Sequence, residues 1–214
     1  MKLVQHHRKI IAVAMALTLF SIIMLQLAGC GGSSAKTTVP ATTTSQVALG
    51  NQTTTTTTTT TAANVAVSNS DGSVTISVPA GWNTNDLSLY PGAVVGIAND
   101  ANSEYLIITK KPKTDVGANS TINDYMNLVK SVFAAVLTNP VWGSTSNVTI
   151  GGCSGLSAQL TGTRISDGSN MVYYVNAVAS KDYYYNICGY TTSAMAAANQ
   201  AQLETIIKSF KETN

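Results

Sequence analysis

The chain has 214 residues, 44% of them hydrophobic and 10% charged, with 12 Lys and Arg against 10 Asp and Glu. Three of the basic residues (Lys2, Arg8, Lys9) and both histidines (His6, His7) precede Cys30, so from Cys30 onward nine basic residues face ten acidic ones and no imidazole remains. That part of the chain lacks the positive excess that nucleic acid attracts. It also lacks the base of a Ser-His-Asp or Cys-His site and the several Cys or His ligands of a zinc centre.

The first element is a leader. Lys2, Arg8 and Lys9 form a basic head before an apolar run from Ile10 to Leu27, broken only by Thr18, Ser21 and Gln26, which is a signal peptide's plan. A spanning helix needs about 20 apolar residues, so a retained anchor is the alternative. Leu27-Ala28-Gly29-Cys30 weighs against it, because these residues resemble the bacterial lipobox. The resemblance implies that residues 1–29 are cleaved off, that the Cys30 thiol is diacylated and that the new amino terminus is acylated. Two or three acyl chains hold a protein far more firmly than one. Gly31, rather than Asp, follows the cysteine, so in a host with two membranes sorting to the outer one is expected.

Residues 30–63 follow as a stalk. They run through Gly31-Gly32-Ser33-Ser34 and a Thr- and Ala-rich patch to nine consecutive threonines, Thr53 to Thr61. No apolar period of 2 or 3.6 appears, and such a tract cannot bury enough surface to offset its ordering entropy. As a flexible chain it would reach roughly 30 Å. The threonines are expected to be a plain spacer, with O-glycosylation as the alternative.

Residues 64–214 have the size of one domain with one core. Asp71-Gly72 signals a turn, and Val74, Ile76 and Val78 alternate with Thr75 and Ser77, predicting a strand that ends at Pro79. Ala93 to Ala98 and Tyr105 to Thr109 predict a hairpin around Asn99-Asp100-Ala101-Asn102. Lys110, Lys111 and Lys113 around Pro112 predict a solvated strand exit rather than an anion patch. A helix is expected after Asn119-Ser120-Thr121, because Ile122, Tyr125, Met126, Val129, Val132, Phe133, Val136 and Leu137 form one apolar stripe. Asn139-Pro140 ends it. Period two then returns: Asn147 to Ile150 leads into Gly151-Gly152, and Gly155 to Thr163, Met171 to Ala179 and Tyr183 to Thr191 predict a three-strand meander with turns at Asp167-Gly168 and Ser180-Lys181-Asp182. A last helix is expected from Ser193, its cap, to Phe210. Trp82 and Trp142 are expected to be hydrophobic plugs at element ends.

Three stretches share an order and spacing: Val74-Thr-Ile-Ser-Val-Pro-Ala-Gly-Trp82, Ile150-Gly-Gly-Cys-Ser-Gly155 and Leu203-Glu-Thr-Ile-Ile-Lys-Ser-Phe210. Together they resemble the PsbP-like superfamily, which includes the photosystem II extrinsic proteins, the Ran-binding Mog proteins and DcrB-like lipoproteins. The resemblance implies an α+β fold, an α/β/α sandwich with a central antiparallel sheet and helices on both faces. Because members bind different partners, it implies no particular one.

Carboxylates remain for acid and base chemistry, and a glycosidase needs two of them. Asp86, Asp100, Glu104, Asp115, Asp124, Asp167 and Asp182 fall mostly in predicted turns or helix starts, where capping accounts for them. Gly152-Cys153-Ser154-Gly155 lacks the last glycine of a nucleophile elbow, since Leu156 stands there. Cys153 and Cys188, in an exported protein, are a candidate disulfide. The meander places Cys188 opposite residues near Val175 and then near Gln159, several residues from Cys153, so two free thiols are the alternative.

Six tyrosines crowd two adjacent strands. Alternation sends Tyr173, Tyr183 and Tyr185 toward the face of Val175 and Ile187, leaving Tyr174, Tyr184 and Tyr190 on the other. If no helix covers that face, these three and Asn186 form an amphipathic ligand platform; if one does, they are core. The expectation is a lipid-anchored, non-catalytic binding or assembly module of a bacterial cell envelope. Its partners would be the membrane, through the acyl chains on Cys30, and an envelope protein, with no cofactor, metal or nucleic acid. A carboxylate-dependent envelope hydrolase and a tyrosine-based carbohydrate or small-ligand binder are the alternatives.

Overall fold

A computed structural model describes residues 63–213; the leader, Cys30 and the tract up to residue 62 lie outside the described residues. Among the described residues ten strands form two antiparallel sheets. The larger contains β3 (Ala93–Asn99), β4 (Glu104–Pro112), β9 (Tyr183–Thr192), β8 (Asn170–Ala179), β7 (Cys153–Arg164) and β5 (Leu137–Trp142) in that spatial order, while β6 (Ser146–Ile150) pairs with the other half of β7. The smaller contains β1 (Asn64–Ser68), β2 (Val74–Pro79) and β10 (Lys211–Glu212). The helices are α1 (Lys113–Val116), α2 (Ile122–Val136) and α3 (Ala196–Lys208).

The α+β class follows from these elements, and α2 and α3 lie on opposite faces of the larger sheet. Tyr125, Met126, Val129 and Phe133 of α2 pack on Ile107, Leu160, Tyr173 and Cys188. Leu203, Ile206 and Ile207 of α3, with Phe210, pack on Ile97, Leu106, Ile108 and Ile187. That second layer also contains Val67, Val74, Ile76 and Val78 of the small sheet. Each fully buried side chain of this type contributes about 1.5–3 kcal/mol.

The start of α2 is a capping box: Thr121 Oγ1 accepts from the Asp124 N–H and Asp124 Oδ2 accepts from the Thr121 N–H. Its end is sharper than expected. Leu137 is already extended and begins β5, which contains Pro140 and a left-handed Asn139 at φ 52°. A proline without an N–H and a local bulge are tolerated here because β5 is an edge strand. Ser193 does not cap α3; it opens a one-turn helix, Ser193–Met195, and Met195 precedes α3 without a side-chain cap. Strand β4 runs on through Pro112 opposite Tyr183. Lys110 there donates to Ser73 Oγ at 2.8 Å and lies 4.2 Å from the Tyr183 ring centroid.

Candidate functional site

Neighbouring strands fix the direction of every tyrosine. Tyr173 stands opposite Tyr190, Tyr174 opposite Gly189, Val175 opposite Cys188 and Asn176 opposite Ile187, and directly opposed residues share a face. Val175 and Ile187 therefore face opposite ways, which overturns the alternation expected from the sequence. Tyr184, Asn186 and Tyr190 point toward α2 with Tyr173, whereas Tyr174 points toward α3 with Tyr185. Both faces are covered, so Tyr174, Tyr184 and Tyr190 are 7%, 2% and 7% exposed and form no common platform.

Burial has chemical consequences for these groups. It pushes Tyr173 up to about 12 and Tyr190 higher still. Asn186 is buried on the α2 side, and its Oδ1 has no hydrogen-bond partner among the described residues. Cys153 and Cys188 are free and buried, and they belong to cores on opposite faces of the sheet. A disulfide between them would have to pass through the sheet, so the candidate bridge is excluded. Burial raises both thiols.

Two clefts flank the outer strand β6, one on each face. The first, of about 620 Å³, lies on the α2 side between the start of that helix and β6. Its wall combines Lys113, Ser120 and Thr121 with Asn147 and Thr149 of β6, Ser154 of β7 and Tyr184 of β9. Tyr184 Oη donates to the Ser120 carbonyl at 2.6 Å and its ring stacks on Tyr125 at 4.8 Å. Lys113 Nζ lies 5.3 Å from the Tyr184 ring centroid and makes no ion pair among the described residues.

The second cleft, of about 480 Å³, opens on the α3 side between β6 to β8 and the C-terminal half of α3. Asn176, 5% exposed, donates through Nδ2 to the carbonyls of Tyr174 and Ile187. Its Oδ1 accepts nothing among the described residues. Around it stand Ser157, Gln159, Tyr174, Gln200 and Glu204. Glu204 accepts from Gln200 at 2.8 Å and pairs with Lys208 at 3.3 Å, and those contacts, the Gln200 amide first, lower its pKa.

So Tyr174 and Tyr184 each border a cleft, on different faces, while Tyr190 and Asn186 border neither. Sequence reasoning set Lys113 aside as part of a solvated strand exit and missed Thr149, Gln159, Asn176 and Gln200. One signal was present, since Asn176 is the lone amide in the apolar run from Met171 to Ala179. Glu104, expected in a turn, is 1% exposed; its Oε2 accepts from Asn99 at 2.8 Å and its Oε1 has no partner among the described residues. Glu204 is the one carboxylate in the walls of the two clefts.

No known protein family and no curated protein matches the sequence. The fold does resemble solved structures. LpqN of Mycobacterium tuberculosis, described as involved in cell envelope biogenesis, aligns with a TM-score of 0.50 at 14% identity, over 71% of this chain and 91% of that one. The cyanobacterial PsbP (CyanoP) of Synechocystis aligns with a TM-score of 0.49 at 12% identity, over 87% and 99%. At this identity the likeness to LpqN is one of fold. No helix among the described residues is long and apolar enough to cross a membrane.

Proposed function

We propose that this chain is a non-catalytic binding or assembly module of a bacterial cell envelope, held at the membrane by acyl chains on Cys30 and displayed on its Thr-rich stalk. In a host with two membranes its place is the outer one. The observation that carries the reading is the lining of the two clefts beside β6. Hydroxyls, amides and two lysines, Lys113 and Lys208, suit recognition of a polar partner, and the one carboxylate, Glu204, is already engaged by Gln200 and Lys208. A general acid working with a second carboxylate has no such pair in these walls. The fold shared with LpqN fits an envelope role.

A photo-crosslinking side chain placed at Thr149, between the clefts, tests this in intact envelopes. We expect discrete adducts from Thr149 and none from a matched probe at the exposed Ser88. Identical adduct patterns from both positions would overturn the reading. A second reading, a carbohydrate or other small polar ligand, is favoured by the amides of Gln159, Asn176 and Gln200 beside Tyr174. Saturation-transfer NMR with envelope saccharides separates the two.

A further inference from the structure

The larger sheet treats its edges unequally. The outer edge of β3 is covered, because Asn83 and Ala98 exchange backbone hydrogen bonds at 2.8 and 2.9 Å and the Asp86 N–H donates to the Gly96 carbonyl at 3.0 Å. That cover is close, since a Cβ on Gly96 would lie 2.1 Å from the Asp86 carbonyl oxygen. The edge of β5 is blunted by Pro140 and the left-handed Asn139. Both are ordinary protections against unwanted pairing. β6 has neither: it contains no proline, its backbone is regular, and among the described residues it pairs with β7 alone. Ser146, Asn147 and Thr149 are exposed, and every second N–H and C=O of an antiparallel strand points away from its partner.

We propose that β6 is a docking edge on which an extended peptide segment of a partner protein adds as the next strand, with acidic side chains at alternate positions. The proposal rests on the binding role above and names its mode. Main-chain hydrogen bonds supply affinity in strand addition, and pockets for alternate side chains supply specificity. Here those pockets exist on both sides. Side chains of the added strand alternate between the two faces, so one set meets the α2-side cleft and the other the α3-side cleft, and Val148 and Thr149 border both. On the α2 side the charge is Lys113, without an ion-pair partner among the described residues, in a wall whose other polar groups are hydroxyls and the Asn147 amide, set beside the apolar Ile122, Val148 and Ala179. A carboxylate there gains a partner. On the α3 side Glu204 and Lys208 already pair with each other, so a carboxylate gains no unpaired cation there, while the Asn176 Oδ1 and Gln159 favour hydroxyl or amide side chains.

The test uses the full mature chain with Cys30→Ser to keep it in solution, and a capped seven-residue peptide alternating glutamate and threonine. Backbone amide NMR and hydrogen exchange report on β6. Slowed exchange along β6, loss of binding when alternate peptide nitrogens are methylated, and a preference switched from glutamate to lysine peptides by Lys113→Glu would each support the proposal. The switch should be at least about tenfold in Kd. Equal binding of the N-methylated peptide, or no response along β6, would overturn strand addition. An unchanged glutamate preference in Lys113→Glu, with the remaining spectrum intact, would overturn the charge assignment. The Thr149 adducts stand or fall separately, so failure of pairing is distinguishable from failure of the binding role.

Discussion

Tyr173 and Tyr190 stand directly across the β8–β9 ladder with ring centroids 5.4 Å apart, and Phe133 of α2 meets Tyr173 edge-on at 5.0 Å. Tyr105 stacks on the other side of Tyr190 at 5.2 Å. Aromatic pairs at these distances add to their burial. Tyr190→Ala should therefore lower unfolding free energy by about 3–5 kcal/mol, and Tyr173→Ala by a similar amount. The double substitution should cost less than the sum, because the two share one cavity. Urea titrations of the four variants measure it. A Tyr190→Ala protein of undiminished stability that had lost its Thr149 adducts would return Tyr190 to the binding surface.

Gly155 allows β7 and β8 to approach. A Cβ there would lie 2.2 Å from the Ala177 carbonyl oxygen and 2.8 Å from Val178 Cα, both backbone, so no rotamer change relieves the clash. Gly155→Ala should cost about 1–3 kcal/mol or more and lower soluble yield. Gly143→Ala, whose Cβ would meet the Gln159 carbonyl oxygen at 3.5 Å, should be nearly neutral. A thermal melt of each variant decides it, and equal Tm values would refute the packing role.

Much of this was legible from period and turn chemistry. The alternation from Val74 to Val78, the stripe from Ile122 to Phe133 and the glycine turns at 151–152 and 168 each found their element. The tyrosine faces were not, because β8 and β9 are buried on both sides and read as nearly continuous apolar runs without a polar phase. The register that pairs Val175 with Cys188 then decides the direction. β5 was hidden because Asn139-Pro140 reads as a breaker, and only an edge position makes it tolerable. The clefts join Lys113, Thr149 and Tyr184, which are far apart in sequence, and no local pattern announces such a meeting.

Glu104 should give a distinctive pH response. Burial, partly offset by the Asn99 and Asn102 amides, raises its pKa above the usual glutamate value. In the unfolded chain it ionises near 4.3, so the folded state holds the proton more tightly. Its penalty is absent below that pH, grows as pH rises through the unfolded value, and is complete above the raised folded value. Glu104→Gln should thus be more stable than the wild type at neutral pH, and the difference should shrink toward pH 4. Asp71 and Asp167, whose carboxyls are held down to about 2, work in the opposite sense but are common to both proteins. Urea midpoints of the pair at pH 4 and 7 isolate the difference, and parallel pH curves would contradict the assignment.

The thiols predict insensitivity to redox conditions. Cys153 and Cys188 are 8% and 1% exposed, on opposite faces, and a protonated, buried thiol is a poor nucleophile. In the Cys30→Ser protein, purified without reductant, a thiol reagent should find both groups only after denaturant is added. The Tm should be the same with and without dithiothreitol. Loss of two titratable thiols, or a Tm lowered by reductant, would show the bond that the sheet is argued to prevent.

The proposed anchoring at Cys30 can be tested apart from the folded residues. If the Leu27-Ala28-Gly29-Cys30 stretch is a lipobox, Cys30→Ser removes both the acceptor thiol and the cleavage signal. The precursor should then keep residues 1–29, incorporate no labelled palmitate and run larger on a gel. Wild-type protein should partition into detergent after labelling, since two or three chains each add about 0.8 kcal/mol per buried CH₂. In a chain made without residues 1–29 the same substitution leaves residues 63–213 unchanged, so strand addition at β6 by that soluble protein should be as strong as before, while crosslinking to an envelope partner should fall with the lost local concentration. Processing of Cys30→Ser at the same site as the wild type would refute the lipobox and return the run from Ile10 to Leu27 to the role of an ordinary leader or anchor.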